Sequence, residues 1–328
     1  MQHFSGPLFL VGSPRSGTKL LRDLLNRNSV INLCDPESHF IPFLFQRHGG
    51  DPERFEVDLD RLYEDFQRTP FQIYRRSKGQ VVMERADFET VGQAQNWGEA
   101  FEVILRFYGE GAVPGQGVWG DKTPSYVLEM NLLKTIFPTA RFVHIIRDPR
   151  DVAVSAQKAW RHNVLRVASK WARDMAAARQ SASRLGGDYL QVYYEQLLEN
   201  PEMELRRISD FLGHAFEMEM TTLSAPSENI GTAKGKLYID AANVEKFRRV
   251  LLPKRQKRIE EIVHDAVEGT PYILDYAHHN RVLSPSVRTW LALVDGARSV
   301  AHKIRRKGLV NGIRISIGNR LQKRRNAP

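Results

Sequence analysis

The sequence predicts an α/β fold, P-loop-like and three-layered, with a central parallel sheet flanked by helices. Short apolar runs rich in β-branched residues alternate with helical patterns, which is the signature of parallel strands joined by crossover helices. The first such run ends in a glycine turn that opens a helix, and a later one, residues 141–146, runs into Asp-Pro and a second helix. With 328 residues, 42% hydrophobic and 26% charged, the chain can bury a substantial core.

Taken in order, residues 7–12 (PLFLVG) read as a buried strand and 13–19 as a turn. Residues 20–25 continue as a helix with Leu20, Leu21, Leu24 and Leu25 on one side, and 30–34 read as a second strand. The stretch 40–88, rich in aromatic and charged residues, reads as helical and irregular. Phe101, Ile104, Leu105 and Tyr108 fall at helical spacing within 97–108. Residues 126–137 read as one helix stopped by Pro138, 141–146 as a strand, and 149–160 as a helix. A long helix over 164–185 ends at Gly186-Gly187, and 189–193 form another strand. Residues 243–267 read as helical with an interruption near Pro253, and no internal repeat occurs.

A lone cysteine, Cys34, excludes an intrachain disulfide and a multi-cysteine metal site. Residues 1–12 have neither the basic start nor the apolar length of a signal peptide, and no run is long enough to span a bilayer. The expectation is a cytoplasmic protein. Its formal charge of +10 is concentrated at the end: residues 286–328 hold eleven Lys and Arg against one acid, Asp295, and the remainder balances to zero. That asymmetry concerns an anionic surface rather than the site.

The strongest local pattern is Gly12-Ser13-Pro14-Arg15-Ser16-Gly17-Thr18-Lys19. A strand, a glycine turn and a helix start aim backbone amides and a helix N-terminus at a phosphate. Gly12 and Gly17 have the spacing of the nucleotide-triphosphate loop, but Thr18 stands where its lysine belongs and Lys19 where its magnesium-binding hydroxyl belongs. MgATP-type transfer therefore loses a ligand, and the expected chemistry uses no metal. A second pattern, RFVHIIRDPRDVAVS over 141–155, puts Arg147 at a strand end, Asp148 and Pro149 at a helix start, and Ser155 about two turns on. Strand ends are where open α/β sheets bind ligands, and the planar fork of arginine suits phosphate.

Together these patterns resemble the sulfotransferases that use 3′-phosphoadenosine 5′-phosphosulfate (PAPS), closest to the tyrosylprotein and carbohydrate branch. The P-R-S-G-T run is similar to that family's 5′-phosphosulfate loop, and R-D-x-R-x-x-x-x-S to its 3′-phosphate clamp. Tyr194-Glu195 through Asn200-Pro201 and Phe211-Leu212-Gly213 resembles a further stretch, as does Lys122-Thr123-Pro124-Ser125-Tyr126. The resemblance covers roughly residues 5–275 and implies a catalytic domain over 1–280. It implies that Arg15, Ser16, Gly17, Thr18 and Lys19 hold the 5′-phosphosulfate, that Arg147 and Ser155 clamp the 3′-phosphate, and that Tyr194 contacts the adenine or its phosphate. Arg15 and Lys122 would neutralise the leaving oxygen, and Glu37 would be the base for the acceptor hydroxyl, with His39 its rival. Lys246, after the glycine-lysine stretch 231–236, would reach the 3′-phosphate. The family's tryptophan after the loop is replaced by Leu20 and Leu21, which leaves adenine stacking open.

The acceptor is read only as a hydroxyl-bearing molecule (a carbohydrate, glycolipid or other alcohol) lodged among residues 40–108. Residues 281–328 form a basic helical extension: Trp290, Leu291, Val294, Ala297, Ala301 and Ile304 make one apolar stripe, and Leu309, Ile313, Ile317 and Leu321 a second. Flanking cations suit an anionic membrane surface, so a peripheral location on the inner face is expected, with packing on the catalytic domain the alternative. Nothing in the tail supports nucleic-acid binding, since no interleaved aromatics or known module occur. The competing classes are a nucleotide-dependent kinase and a non-catalytic nucleotide-binding membrane adapter.

Overall fold

The structure, a computed structural model, describes residues 4–109, 117–227 and 235–307, the last nine by backbone alone. Strand β1 (Leu8–Val11) is completely buried and leads through the glycine turn into α1 (Thr18–Leu25) and then β2 (Ile31–Cys34). Helices α2 (Phe40–His48), α3 (Leu59–Gln67), α4 (Pro70–Ser77), α5 (Arg85–Phe88) and α6 (Trp97–Tyr108) follow, then strand β3 (Val118–Lys122). Helix α7 (Met130–Ile136), strand β4 (Arg141–Ile146), helices α8 (Pro149–Trp160) and α9 (Val164–Leu185) and strand β5 (Tyr189–Tyr193) complete the sheet. After it come α10 (Tyr194–Glu199), α11 (Pro201–Leu212), α12 (Phe247–Val250), α13 (Pro253–Val263) and α14 (Pro285–Lys307).

All five strands are parallel, in the order β2-β3-β1-β4-β5. Alternation along each strand decides which layer it feeds. Leu8, Leu10, Ile31, Leu33, Val143 and Ile145 point to the face covered by α1, α10 and α11. Phe9, Val11, Cys34 and Phe142 point to the opposite face, where Phe40, Phe66, Phe71, Trp97 and Phe101 form an aromatic core. A third cluster ties Ile146 to Val152, Trp171, Phe247, Ile259 and Val263, holding α8, α9, α12 and α13 together. The three layers match the sequence expectation.

Local chemistry sets the helix boundaries. Asp148 caps α8 by accepting from the Arg150 amide (2.8 Å), with Pro149 in the first turn, and Asn163 caps α9 by accepting from the amides of Leu165 and Arg166. Helix α9 stops where Gly186 takes φ 53°.

Three expectations need correction. Residues 118–122, given no strand from the sequence, form one inside the sheet; its Gly, Asp and Lys hid it from pattern reading. The helix expected over 126–137 is split into a tight 3-10 turn, Pro124–Leu128, and α7, because the Tyr126 hydroxyl is tied to Ser38 and to the Ile41 amide. The helix expected from residue 243 begins only at Phe247, since Glu245 takes φ 49° and cannot extend it backward. Among the described residues, no helix is long and apolar enough to cross a membrane.

Candidate active site

The carboxyl ends of β1, β2, β3 and β4 converge on one edge of the sheet, as open parallel sheets require of a binding site. From β1 the chain enters the turn 12–17, braced by Gly12 N donating to Pro124 O (3.1 Å) and Ser13 Oγ donating to buried Asp174 (2.7 Å). Arg15 is held at φ 76°, a conformation that costs a non-glycine residue about 1–3 kcal/mol and so marks a constrained loop. Gly17 takes φ 95° and caps α1 without any side-chain acceptor, so the first-turn amides of Thr18 and Lys19 have no helical partner. Ser16 Oγ is fully buried and meets no hydrogen-bond partner among the described residues. The Lys19 ammonium instead pairs with Asp23 one turn along (2.9 Å), so at this loop Lys19 offers its amide.

At the end of β4, Arg147 is 3% exposed. Its Nη2 donates to Asn243 O (2.7 Å) and to Asp151 Oδ2 (3.3 Å), and its Nη1 donates to Arg15 O (3.3 Å). The guanidinium lies 4.2 Å from the Tyr194 ring centroid, and its buried Nε has no acceptor among the described residues. Arg15 Nε donates to Ser155 Oγ (3.3 Å), which joins loop to clamp. Lys246 donates to Asn243 Oδ1 (2.6 Å), and burial, helped by the charges of Arg147 and Arg15, lowers its ammonium to about 8.

These side chains line one narrow cleft, with Leu20, Leu198, Lys236 and Tyr238 completing its walls. Arg15, Gly17, Arg147, Ser155, Tyr194 and Lys246, all singled out in the sequence, meet there. Lys236 of the glycine-lysine stretch also lines it, while Gly231 to Lys234 lie outside the described residues.

The second group forms where β2 and β3 end. Register sets Cys34 beside Asp121 and Leu10 beside Lys122, so Lys122 emerges next to the phosphate turn. It is a buried strand-end residue, and it donates to Glu37 Oε1 (2.7 Å). Glu37 Oε2 faces His39 Nε2 at 3.0 Å, and His39 Nδ1 faces Ser125 Oγ at 3.3 Å. Burial alone would raise the Glu37 carboxyl, but the bond to His39 and the charge of Lys122 win and bring it down to about 2.

Sequence reasoning gave no role to the residues that hold these groups in place. Asp121, fully buried, accepts from the Ser38 amide and hydroxyl and so fixes the Glu37 loop; Arg22 pairs with Asp35 on the same loop. Asp151 also accepts from the Phe247 amide (2.9 Å), binding the clamp to α12. Glu195 accepts from the Asp148 amide (3.1 Å) and the Tyr272 hydroxyl (2.7 Å), which explains the glutamate after Tyr194. Asn243, which donates to the Tyr194 hydroxyl (2.6 Å), carries no sequence signature.

A second cavity of about 250 Å³ opens on the other side of the turn, lined by Ser13, Pro14, Trp160, His162, Arg166 and Lys170 among others. The Arg15 guanidinium lies 5.6 Å from the Trp160 ring, so Arg15 stands between the two spaces. Within the stretch 40–108, expected to line the acceptor pocket, the large aromatic residues pack largely into the core.

The family model described as "Sulfotransferase family" matches residues 7–218. Protein-tyrosine sulfotransferase A of Caenorhabditis elegans is 24% identical over 213 residues, 62% of this chain and 49% of that protein. The protein-tyrosine sulfotransferase of Drosophila melanogaster is 25% identical over 217 residues, 62% of this chain and 37% of that protein. The match thus spans half or less of these relatives. Among solved structures, the sulfotransferase domain from the curacin biosynthetic pathway has a TM-score of 0.56 at 20% identity, covering 84% of this chain and 100% of that one. The sulfotransferase domain from the Synechococcus PCC 7002 olefin synthase gives 0.56 at 23% identity, covering 84% and 98%. At these identities the likeness establishes a shared fold.

Proposed function

This chain belongs to the sulfotransferase family, and from that premise we propose that it moves the sulfuryl group of PAPS onto an acceptor hydroxyl by in-line displacement. The observation that carries the reading is the convergence of Arg15, Arg147, Ser155 and Lys246 on one cleft, with Ser16 Oγ and Arg147 Nε buried and lacking acceptors. Buried donors without acceptors are costly, and an anion with phosphates at both ends satisfies them. When bound, PAPS supplies an activated sulfur with a stable phosphate leaving group.

The chain's residues divide the remaining work. The amides of Gly17, Thr18 and Lys19 with the hydroxyls of Ser16 and Thr18 hold the 5′-phosphate at the start of α1. Arg147, Ser155 and Lys246 hold the 3′-phosphate, and Leu20, Leu198, Tyr194 and Tyr238 offer apolar surface to a base. As the acceptor oxygen bonds to sulfur and the sulfur–phosphate oxygen bond breaks, Arg15 and Lys122 neutralise charge on the departing oxygen. Glu37 takes the acceptor proton, and the products are a sulfate ester and adenosine 3′,5′-bisphosphate. Engagement of Lys122 by the departing oxygen draws it from Glu37, raising the basicity of that carboxylate when it is needed. The acceptor is a carbohydrate, glycolipid or other alcohol. The enzyme works in the cytoplasm, where buried Cys34 stays a thiol.

The test is incubation with ³⁵S-labelled PAPS and cell extract fractionated into lipid, polysaccharide and protein. Label in one fraction with stoichiometric bisphosphate release is expected. No label in any fraction and no bisphosphate release, or tighter binding of MgATP than of adenosine 3′,5′-bisphosphate, overturns the reading.

A further inference from the structure

Helix α14 leaves the catalytic body with two unlike sides. One side is anchored: Leu291 is 5% exposed within the cluster of Ile146, Trp171 and Val263, and Asp295 is equally buried. Both Asp295 oxygens are consumed internally, accepting from the Asn163 amide (3.0 and 3.1 Å) and from Arg166 Nε (2.6 Å). The other side carries Trp290, 61% exposed, and Leu293, 67% exposed, with Ala297 also exposed one turn on. Exposed Val287, one turn back along the helix, lies beside it. A tryptophan and a leucine in water on one helix face are unfavourable unless something apolar covers them.

The charge around this face says what covers it. Asp295 is the single acid of residues 286–328, and its pairing with Arg166 removes it from the surface. The exposed Arg298 beside this face has no ion pair among the described residues, while Arg288 turns to the body, where it lines a groove with Arg179, Asp265 and Leu283; nine further cations follow in the sequence. An apolar stripe containing tryptophan, set in cations with no outward acid, fits the boundary of an anionic bilayer. Nucleic acid would use the cations and leave Leu293 and Val287 in water.

We propose that the outer face of α14, through Trp290 and Leu293, docks this enzyme on an anionic lipid surface. The anchor has a consequence for the acceptor, and this second part rests on the sulfuryl-transfer reading. Arg166, which holds Asp295, also lines the cavity beside Arg15. Arg166 stands between that cavity and the anchored side of α14, so a docked bilayer lies one helix width, roughly 10 Å, from the cavity wall, and the acceptor is a hydroxyl on a lipid headgroup.

The docking test is flotation of the full chain with vesicles of phosphatidylcholine alone or mixed with phosphatidylglycerol, at physiological salt. Flotation only with the mixed vesicles is expected, weakened about tenfold or more in the Trp290→Glu/Leu293→Glu double variant. Thermal unfolding and binding of adenosine 3′,5′-bisphosphate should be unchanged in the variant, which shows that the body is intact. No flotation, equal flotation with neutral vesicles, or undiminished flotation of the double variant overturns docking. Binding to duplex DNA but not to vesicles overturns it as well. A glycolipid carried in the mixed vesicles should be sulfated about tenfold more slowly by the double variant. Equal rates overturn the lipid acceptor and leave docking standing. Sulfation by neither protein, with no bisphosphate released on any acceptor, fails the transfer reading separately.

Discussion

Lys122 and Glu37 form an ion pair of 2.7 Å that joins the ends of two neighbouring parallel strands. The lysine side chain is 6% exposed and the carboxylate 38%, so the cation is fixed and the acid is the partner that a ligand can reach. Asp121, Thr123 and Tyr126 on one side and Arg22 on the other hold the Glu37 loop in place. A fixed loop matters because a base must already be in position when the acceptor hydroxyl arrives.

Replacing Glu37 by glutamine keeps the shape and removes the proton acceptor. The expected result is a fall in kcat of about 10²- to 10⁴-fold. Affinity for adenosine 3′,5′-bisphosphate should change little, because Glu37 lies outside the nucleotide cleft. His39→Asn should cost less, since His39 touches Glu37 at only one oxygen. Steady-state kinetics beside calorimetry separate the two effects, and a larger loss for His39→Asn would transfer the role of base to the histidine.

The same pair sets a pH dependence. A base works only when deprotonated, so activity is lost as pH falls through its pKa. With Glu37 at about 2 in the free protein, kcat/KM should show no acid limb from this group anywhere above about pH 4. Lys122→Met removes one of the two influences that lower it. The variant should be slower, having lost a cation at the departing oxygen, and its acid limb should move up toward ordinary carboxylate values. A pH–rate profile with an unmoved limb would separate Glu37 from the base.

The parts legible in the sequence were those whose physics is local. Helices α6, α8 and α9 and strands β4 and β5 have the expected bounds because their caps, glycine stops and apolar spacing lie within the segment itself. Strand β3 escaped because its burial is tertiary: Gly120, Asp121 and Lys122 sit inside a sheet only because Leu8, Ser38 and Glu37 meet them there. The site divides in the same way. Arg15, Arg147 and Ser155 stood out through short motifs, whereas Asn243 acts through contacts to Arg147 and Tyr194, which are remote in sequence.

Nucleotide affinity should also report on Lys246. Burial and the neighbouring cations put its ammonium at about 8, and a phosphate beside it favours the charged form and raises that value. The complex then holds more protons than the free protein, so affinity for adenosine 3′,5′-bisphosphate falls as pH rises through about 8, by at most about tenfold per unit. Below about pH 7 this group contributes no slope. Calorimetry across that range should give a flat profile for Lys246→Met; an unchanged slope would place the titrating group elsewhere.

Arg147→Lys keeps the charge and loses the planar fork that reaches Asn243, Asp151 and Arg15 together. A loss of about ten- to a hundredfold in bisphosphate affinity is expected. Arg147→Ala should also lower stability by about 3–5 kcal/mol, because Asp151, fully buried, loses its countercharge. Denaturant titration beside calorimetry distinguishes the two variants: the lysine protein should stay the more stable while binding poorly.

Gly17 tests whether loop and clamp form one unit. A Cβ there would stand 2.3 Å from Tyr194 Cδ2, and the backbone sits at φ 95°. Gly17→Ala must therefore displace the Tyr194 ring, whose hydroxyl accepts from Asn243, the residue whose carbonyl accepts from Arg147. Gly79→Ala provides the control, since Gly79 has φ 63° but nothing within 4 Å of its would-be Cβ. Both variants carry the backbone penalty of about 1–2 kcal/mol, but only Gly17→Ala should weaken bisphosphate binding, by about tenfold or more. Equal binding in the two proteins would mean that the loop and the Arg147 clamp act independently, and that the contact between Gly17 and Tyr194 is packing alone.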